Sequence, residues 1–142
     1  MNRQDAKSAK DLKGVEPSAK VDDLARRVIG AAIEAHRLLG PGWLESIYEE
    51  ALCVELALGD IRFARQVPIS VSYKGQRVGE ARLDLLVDSS LVVELEAVES
   101  IAPIHLAQIL SYSRAARLRF GLLINFNVSV LKHGIKRVIR TQ

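Results

Sequence analysis

The residues best placed to do chemistry are carboxylates in two short apolar segments, Ala81-Arg82-Leu83-Asp84-Leu85-Leu86-Val87 and Leu91-Val92-Val93-Glu94-Leu95-Glu96-Ala97. Asp88-Ser89-Ser90 between them reads as a turn, and a turn centred on Ser89 sets position 84 directly across from position 94. Side chains alternate along a strand, so Glu94 and Glu96 share a face while Leu85, Val87, Val93, Leu95 and Ala97 point the other way. Asp84, Glu94 and Glu96 would then converge on otherwise apolar strands. Like charges set so close are destabilising, and burial makes the conflict worse. A divalent cation with oxygen ligands resolves it, and Mg²⁺ or Mn²⁺ suits one or two carboxylates completed by water and phosphate. Alternation alone also produces a plain solvent face on an antiparallel pair. Asp is disfavoured in mid-strand, and that tilts the reading toward a site.

Such a hairpin must be held by other elements. Leu24, Val28, Ala31, Ala32, Ala35, Leu38 and Leu39 recur at helical spacing from about Val21 to Leu39, and Gly40-Pro41-Gly42 stops that helix and starts another. The second helix, about Trp43 to Leu58, carries Leu44, Ile47, Tyr48, Ala51, Leu52 and Leu56 on its apolar side. The period then changes to two. Phe63 to Tyr73 reads as a strand made irregular or edge-bound by Pro68, and Lys74-Gly75 turns the chain into a second strand, Gln76 to Val87. Leu91 to Val98 follows as a short strand. Pro103 opens a helix to about Leu118, with Ile104, Ala107, Ile109, Leu110 and Ala115 as expected core contributors. Phe120 to Phe126 reads as a buried strand and Ile135 to Ile139 as a last short one. The order αα-βββ-α-β(β) predicts an α/β fold with a mixed sheet. Residues 1–18 read as a flexible polar tail and 19–142 as a single domain.

The 142 residues are 49% apolar and 26% charged, a globular composition that excludes a wholly disordered chain. A single cysteine, Cys53, excludes an intrachain disulfide framework and a cysteine zinc cluster. No apolar run is long enough to span a bilayer and the first residues lack a signal-peptide core, so the expectation is a soluble cytoplasmic protein without a membrane partner. No glycine-rich phosphate loop is present, which argues against a nucleotide cofactor. The net charge of +3 hides an asymmetry: residues 21–99 hold eight basic and fourteen acidic side chains, whereas residues 100–142 hold seven basic ones and no acid. That end can face a polyanion, or be simply a solvated basic surface.

Five motifs in order give a resemblance. Gly42-Trp43-Leu44-Glu45-Ser46-Ile47-Tyr48 reads G-x-x-E-x-x-Y; downstream come Arg82-x-Asp84, Val93-Glu94-Leu95-Glu96-Ala97, Gln108-x-x-x-Tyr112 and Gly121-Leu122-Leu123-Ile124-Asn125-Phe126. From about residue 22 to 139 the chain resembles the bacterial GxxExxY protein family, a branch of the PD-(D/E)xK nuclease superfamily. The resemblance implies a restriction-endonuclease-like core, a mixed sheet flanked by helices, and metal-dependent phosphodiester hydrolysis with Mg²⁺ or Mn²⁺. Asp84 matches the metal-binding Asp, Glu94 the acidic residue of the E-x-K motif, and Glu45 the helical glutamate that assists the metal. Gln108 and Tyr112 match a Q-x-x-x-Y helix that approaches the active site and nucleic acid, with Arg114 and Arg117 expected to help position the strand.

One position departs from the pattern. Glu96 stands where the family has lysine, so the positive charge that would orient water and stabilise the phosphate is missing. Glu96 can instead bind a metal or act as a base, which makes Asp84, Glu94 and Glu96 the catalytic candidates; Arg82 is the nearest residue able to supply the charge. The contrasting expectation is an inactive self-assembling or interaction module. A homo-oligomer fits both. His36 and Tyr48 read as structural, His105 as a remote candidate phosphate donor, His133 as a surface residue and Cys53 as a buried inert thiol.

Overall fold

The computed structural model describes residues 18–141, so all but the last residue of the expected tail lies outside the described residues. Helix α1 spans Ala19–Leu39 and starts at Ser18, whose Oγ accepts the Val21 amide at 3.2 Å. Helix α2 spans Glu45–Leu58, two residues shorter at its start than its periodicity suggests. Strands β1 (Phe63–Tyr73) and β2 (Gln76–Val87) form a long hairpin, followed by β3 (Leu91–Glu96), helix α3 (Pro103–Ala116), β4 (Phe120–Asn125), a 3₁₀ turn at Leu131–Gly134 and β5 (Ile135–Ile139). Lys74 and Gly75 take positive φ in the two-residue turn between β1 and β2, and Asp88 and Ser89 do so in the three-residue turn between β2 and β3.

The five strands lie in the order β1-β2-β3-β4-β5. β3 and β4 are parallel, joined through α3, and the other neighbours are antiparallel. The expected α/β class and mixed sheet are therefore observed, and β1, which carries Pro68, is an edge strand. Each face of the sheet has its own core. Leu85, Val93, Leu95, Leu122, Ile124 and Phe126 pack against Val28 and Ala32 of α1 and Leu52 and Leu56 of α2. Leu83, Val92, Leu123 and Val138 pack on the other face against Ile109 of α3. Each fully buried aliphatic side chain contributes roughly 1.5–3 kcal/mol, so the two layers fix the sheet between the helices. α3 comes so close that a Cβ on Gly121 would stand 3.1 Å from both Ile109 Cδ1 and the Val92 carbonyl oxygen. A side chain there would need the helix or the strand to give by a few tenths of an ångström.

Some apolar expectations fail. Leu38, Leu44 and Ile104 are two-thirds or more exposed, Ile47 is more than one-third exposed, and Ala107 is also exposed. Leu44 precedes α2 rather than lying within it, and α3 packs through Ile109 with Leu106 and Leu110 at its margins, which turns Ile104 and Ala107 to solvent.

Candidate active site

β2 and β3 pair through Leu85–Val93, Leu86–Val92 and Val87–Leu91, and the ladder stops there. One step further, where 84 faces 94 as the turn position predicts, the strands part. Carboxylates take the amides that the ladder drops: Asp84 N donates to Glu94 Oε2 at 2.9 Å, and Leu95 N donates to Asp84 Oδ2 at 2.8 Å. Strict alternation also breaks here. Leu83 joins the α3-side core and Leu85, two residues on, joins the α1–α2 side. Gln66, between the β1–β2 pairs Arg65–Leu85 and Val67–Leu83, has φ 50 at the same level. The reversal of facing brings Asp84 between the two helical layers.

The electrostatics follow from that placement. Glu94 is only 5% exposed. Desolvation first, then the charge of Asp84 and those of Glu96 and Glu45, push its carboxyl up to about 8 against the opposing bond from the Asp84 amide. Asp84 is half-buried and raised by desolvation and by Glu49, partly offset by the Leu95 amide and Gln66. Glu96 is raised by desolvation and Asp84, with His105 acting against them. Glu45, the first residue of α2, is pushed up to about 7 by desolvation and then by Asp84, Glu96 and Glu49. The four carboxylates thus feel one another across three separate elements.

Two residues absent from the sequence reading shape this group. Glu49 lies one turn inside α2 from Glu45 and is buried, its carboxylate accepting from Arg65 Nε and Nη2 at 3.1 and 3.0 Å and from Gln66 Nε2 at 3.0 Å. The i, i+4 spacing from Glu45 is the sequence signal for it. Its partner Arg65, on β1, could be found only once the fold had set β1 beside α2. Glu49 is therefore matched by a cation, whereas among the described residues Asp84, Glu94 and Glu45 are not ion-paired. Arg82 is exposed and makes no ion pair with them.

The supporting residues are tied down by packing and hydrogen bonds. Tyr48 is fully buried and stacked on Phe126 with centroids 4.6 Å apart; its hydroxyl donates to the Gly40 carbonyl at 2.5 Å and accepts the Trp43 amide at 3.2 Å. It is a core aromatic, as expected, and it ties down the turn that opens α2 and presents Glu45. Asn125, opposite Glu96 on β4, accepts from Val98 N at 3.0 Å and donates to Val98 O at 2.9 Å, fixing the chain just after Glu96. His105 Nδ1 accepts the Ala102 amide at 2.8 Å, which makes it a cap for α3. His36 bonds the Val128 carbonyl at 2.7 Å, and Cys53 is buried and free, both structural as expected.

The other expected residues do not join the carboxylates. Gln108 Nε2 donates to Tyr112 Oη at 3.1 Å, so the pair shares one face of α3 but is bonded to itself. Arg114 lies in the last turn of α3 and Arg117 caps it in the left-handed conformation, φ 61, at the end of the helix remote from Glu96.

The donor set is that of a hard divalent cation: carboxylate oxygens, crowded, partly desolvated and without a matching charge. Oδ1 of Asp84 and Oε1 of Glu94 are not the atoms used by the strand amides. Among the described residues, no three His, Cys, Asp or Glu side chains stand together as a finished metal-binding group, so Glu45 or Glu96 would have to draw in to complete one. No helix among the described residues is long and apolar enough to cross a membrane. No curated protein and no solved structure matches the chain. A scan against protein families matches residues 22–138 to the PD-(D/E)XK nuclease superfamily, whose nucleases generally use divalent metals, and the five-stranded mixed sheet with three helices among the described residues agrees with a restriction-endonuclease-like fold. On that match, which takes in both halves of the carboxylate hairpin and the helices on either side, the chain belongs to the PD-(D/E)XK nuclease superfamily.

Proposed function

We propose that this protein is a GxxExxY-type nuclease that binds nucleic acid and hydrolyses its phosphodiester bonds with Mg²⁺ or Mn²⁺. The observation that carries this reading is the carboxylate group without an ion-pair partner at the parting of β2 and β3, with Glu45 pushed up to about 7 and Glu94 to about 8 by desolvation first and then by the neighbouring carboxylates. Asp84 and Glu94 would hold the metal and Glu45 would assist from α2. A divalent cation there would supply Lewis-acid stabilisation of phosphate charge and a more acidic water. Glu96 takes the place of lysine in a different role: its carboxylate, raised by desolvation, accepts the proton of the attacking water. The bonds from the Leu95 and Asp84 amides hold Asp84 and Glu94 in position, and Glu45 or Glu96 draws in on binding to complete the set. Gln108 and Tyr112 on one face of α3, with Arg114 and Arg117 at its end, would position the strand, consistent with the acid-free charge of residues 100–142.

The test is cleavage of single-stranded, linear and supercoiled DNA and of RNA with Mg²⁺ or Mn²⁺ by wild type, Asp84→Ala and Glu96→Lys. Cutting by wild type that Asp84→Ala abolishes is the expected result. Silence in wild type with activity in Glu96→Lys would mean a disarmed site. Silence in all three would overturn the nuclease reading in favour of a self-assembling module, for which the exposed Trp43, Leu44, Val54 and Leu58 of the α2 region offer a surface.

A further inference from the structure

Helix α2 is apolar on two faces. Its inner face, Tyr48, Leu52, Cys53 and Leu56, is buried in the core with α1 and the sheet. Its outer face carries Ile47, Ala51, Val54 and Leu58, with Leu44 at the N-cap three residues before Ile47. Steps of four, three and four residues keep the four helical side chains on one narrow stripe, opposite the buried face. Most of that stripe is in solvent: Leu44 and Leu58 are 72% and 74% exposed and Val54 57%. A surface helix needs one apolar stripe, whereas a helix apolar on both sides is characteristic of one covered on both.

The order of the side chains indicates what covers it. About Ala51 the stripe is a near palindrome, with Leu44 seven residues before and Leu58 seven after, Ile47 four before and Val54 three after. Turned end for end, the stripe meets itself. Leu44 then lies against Leu58, Ile47 against Val54, and the small Ala51 against its own copy, which lets the helix axes approach to about 8 Å. Trp43, 50% exposed beside Leu44, extends the patch. These side chains expose about 600 Å² of apolar surface, the upper end of what a monomer leaves open, and two copies would bury about 1,200 Å², the area of a stable dimer. Other occupants fit less well. α2 contains four glutamates and no lysine or arginine, the wrong sign for a lipid surface or a nucleic acid. Residues 1–17 offer only Met1, Leu12 and Val15 as large apolar side chains among seven charged ones. Beside the stripe, Glu50 is paired with Arg65 of its own chain at 2.6 Å, which reduces like-charge repulsion across the axis.

We infer that this protein forms a two-fold dimer in which α2 packs antiparallel against α2 of a second copy, centred on Ala51. The contact does not rest on the nuclease reading, and it is tested without metal or nucleic acid.

Sedimentation equilibrium of the full chain in EDTA, at high micromolar concentration, should give twice the chain mass of 15.7 kDa. Val54→Glu should halve the measured mass and keep the wild-type helical circular dichroism, because the position is exposed in the single chain. Should Val54→Glu fail to fold, Leu58→Glu at the end of α2 carries the same test. Mild oxidation reads the orientation. Ala51→Cys should give a covalent dimer, since the two copies of position 51 meet at the axis within the roughly 7 Å that a disulfide allows. Leu44→Cys should not, because it stands about 20 Å from its own copy along the helices. The native Cys53 is buried and does not compete. A monomeric wild type, a dimer left intact by the folded charge variants, or equal cross-linking through Leu44→Cys and Ala51→Cys would overturn the inference. So would a monomer that dimerises only once residues 1–17 are removed, which would give the stripe to that segment.

Discussion

The two ends of α3 are opposites in sign and alike in kind. At its start, Asp84, Glu94, Glu96 and Glu45 crowd together at the parting of two strands; at its end, Arg114, Arg119 and Arg140 crowd together at the α3–β4 corner. Each is a like-charge cluster that folding makes worse by desolvation. They differ in how they are held. Asp84 and Glu94 are held by backbone amides beside a fully buried frame that includes Tyr48, Leu85 and Leu95. At the basic end Arg140 Nε donates to the Leu118 carbonyl, and Arg119 keeps one buried guanidinium nitrogen without a partner among the described residues. A preorganised, desolvated cluster is suited to an ion and to chemistry, where placement within fractions of an ångström matters.

Removing one charge from the acidic end breaks this comparison most sharply. Asp84→Ala should lower the cleavage rate by roughly 10³-fold or more, and Asp84→Asn, which still accepts the Leu95 amide, should be as inactive while retaining the wild-type melting temperature. A stable, active Asp84→Asn would sink the assignment.

The next largest effect is on stability. The folded carboxyl of Glu94 titrates near 8 rather than at the ordinary 4.5, so between those values the folded state binds more protons than the unfolded one, and stability falls as pH rises. In EDTA the protein should be more stable at pH 5 than at pH 8, by on the order of 4 kcal/mol from this group. Glu94→Gln should flatten the profile, and Mg²⁺ or Mn²⁺ should recover stability at pH 8. A flat wild-type profile in denaturant melts would show that the carboxylates are not the strained element.

Arg65→Ala sharpens the contrast within the acidic end itself. Glu49 and Glu94 are both buried glutamates, but only Glu49 has a cation. Taking that cation away should cost about 2 kcal/mol, less than for a fully buried pair because Arg65 is partly exposed. The measurement is a chemical denaturation curve, and Glu49→Gln added to Arg65→Ala should restore part of the loss. Tyr48→Phe should have the smallest effect, about 1 kcal/mol from the bond to Gly40, together with slower cleavage because Glu45 loses its fixed turn. Unchanged cleavage with lowered stability would make Tyr48 purely a core residue.

Much of this was legible in the residues. Alternation located β1, β2 and β5 to the residue, Gly40-Pro41-Gly42 separated the two helices, and the turn around Ser89 set Asp84 against Glu94. Periodicity failed where a segment's partner decides its exposure. Leu44 and Ile104 look like core residues in a helical repeat and are mostly exposed, because α2 begins only after Leu44 and α3 faces the sheet through Ile109. Alternation also failed across Asp84, where Leu83 and Leu85 enter different cores.

Sequence by itself determined the local elements, because hydrophobic period and turn residues act between near neighbours. It also determined which residues carry charge, and that no acid follows position 99. Only the tertiary structure decided which charges meet. Arg65 neutralises Glu49 because β1 passes beside α2, Glu45 reaches the hairpin carboxylates because Tyr48 pins the preceding turn, and the arginines gather some 20 Å from the acids because β4 must run parallel to β3. Desolvation and charge pairing are set by contacts between residues far apart in the chain, and no local pattern encodes them.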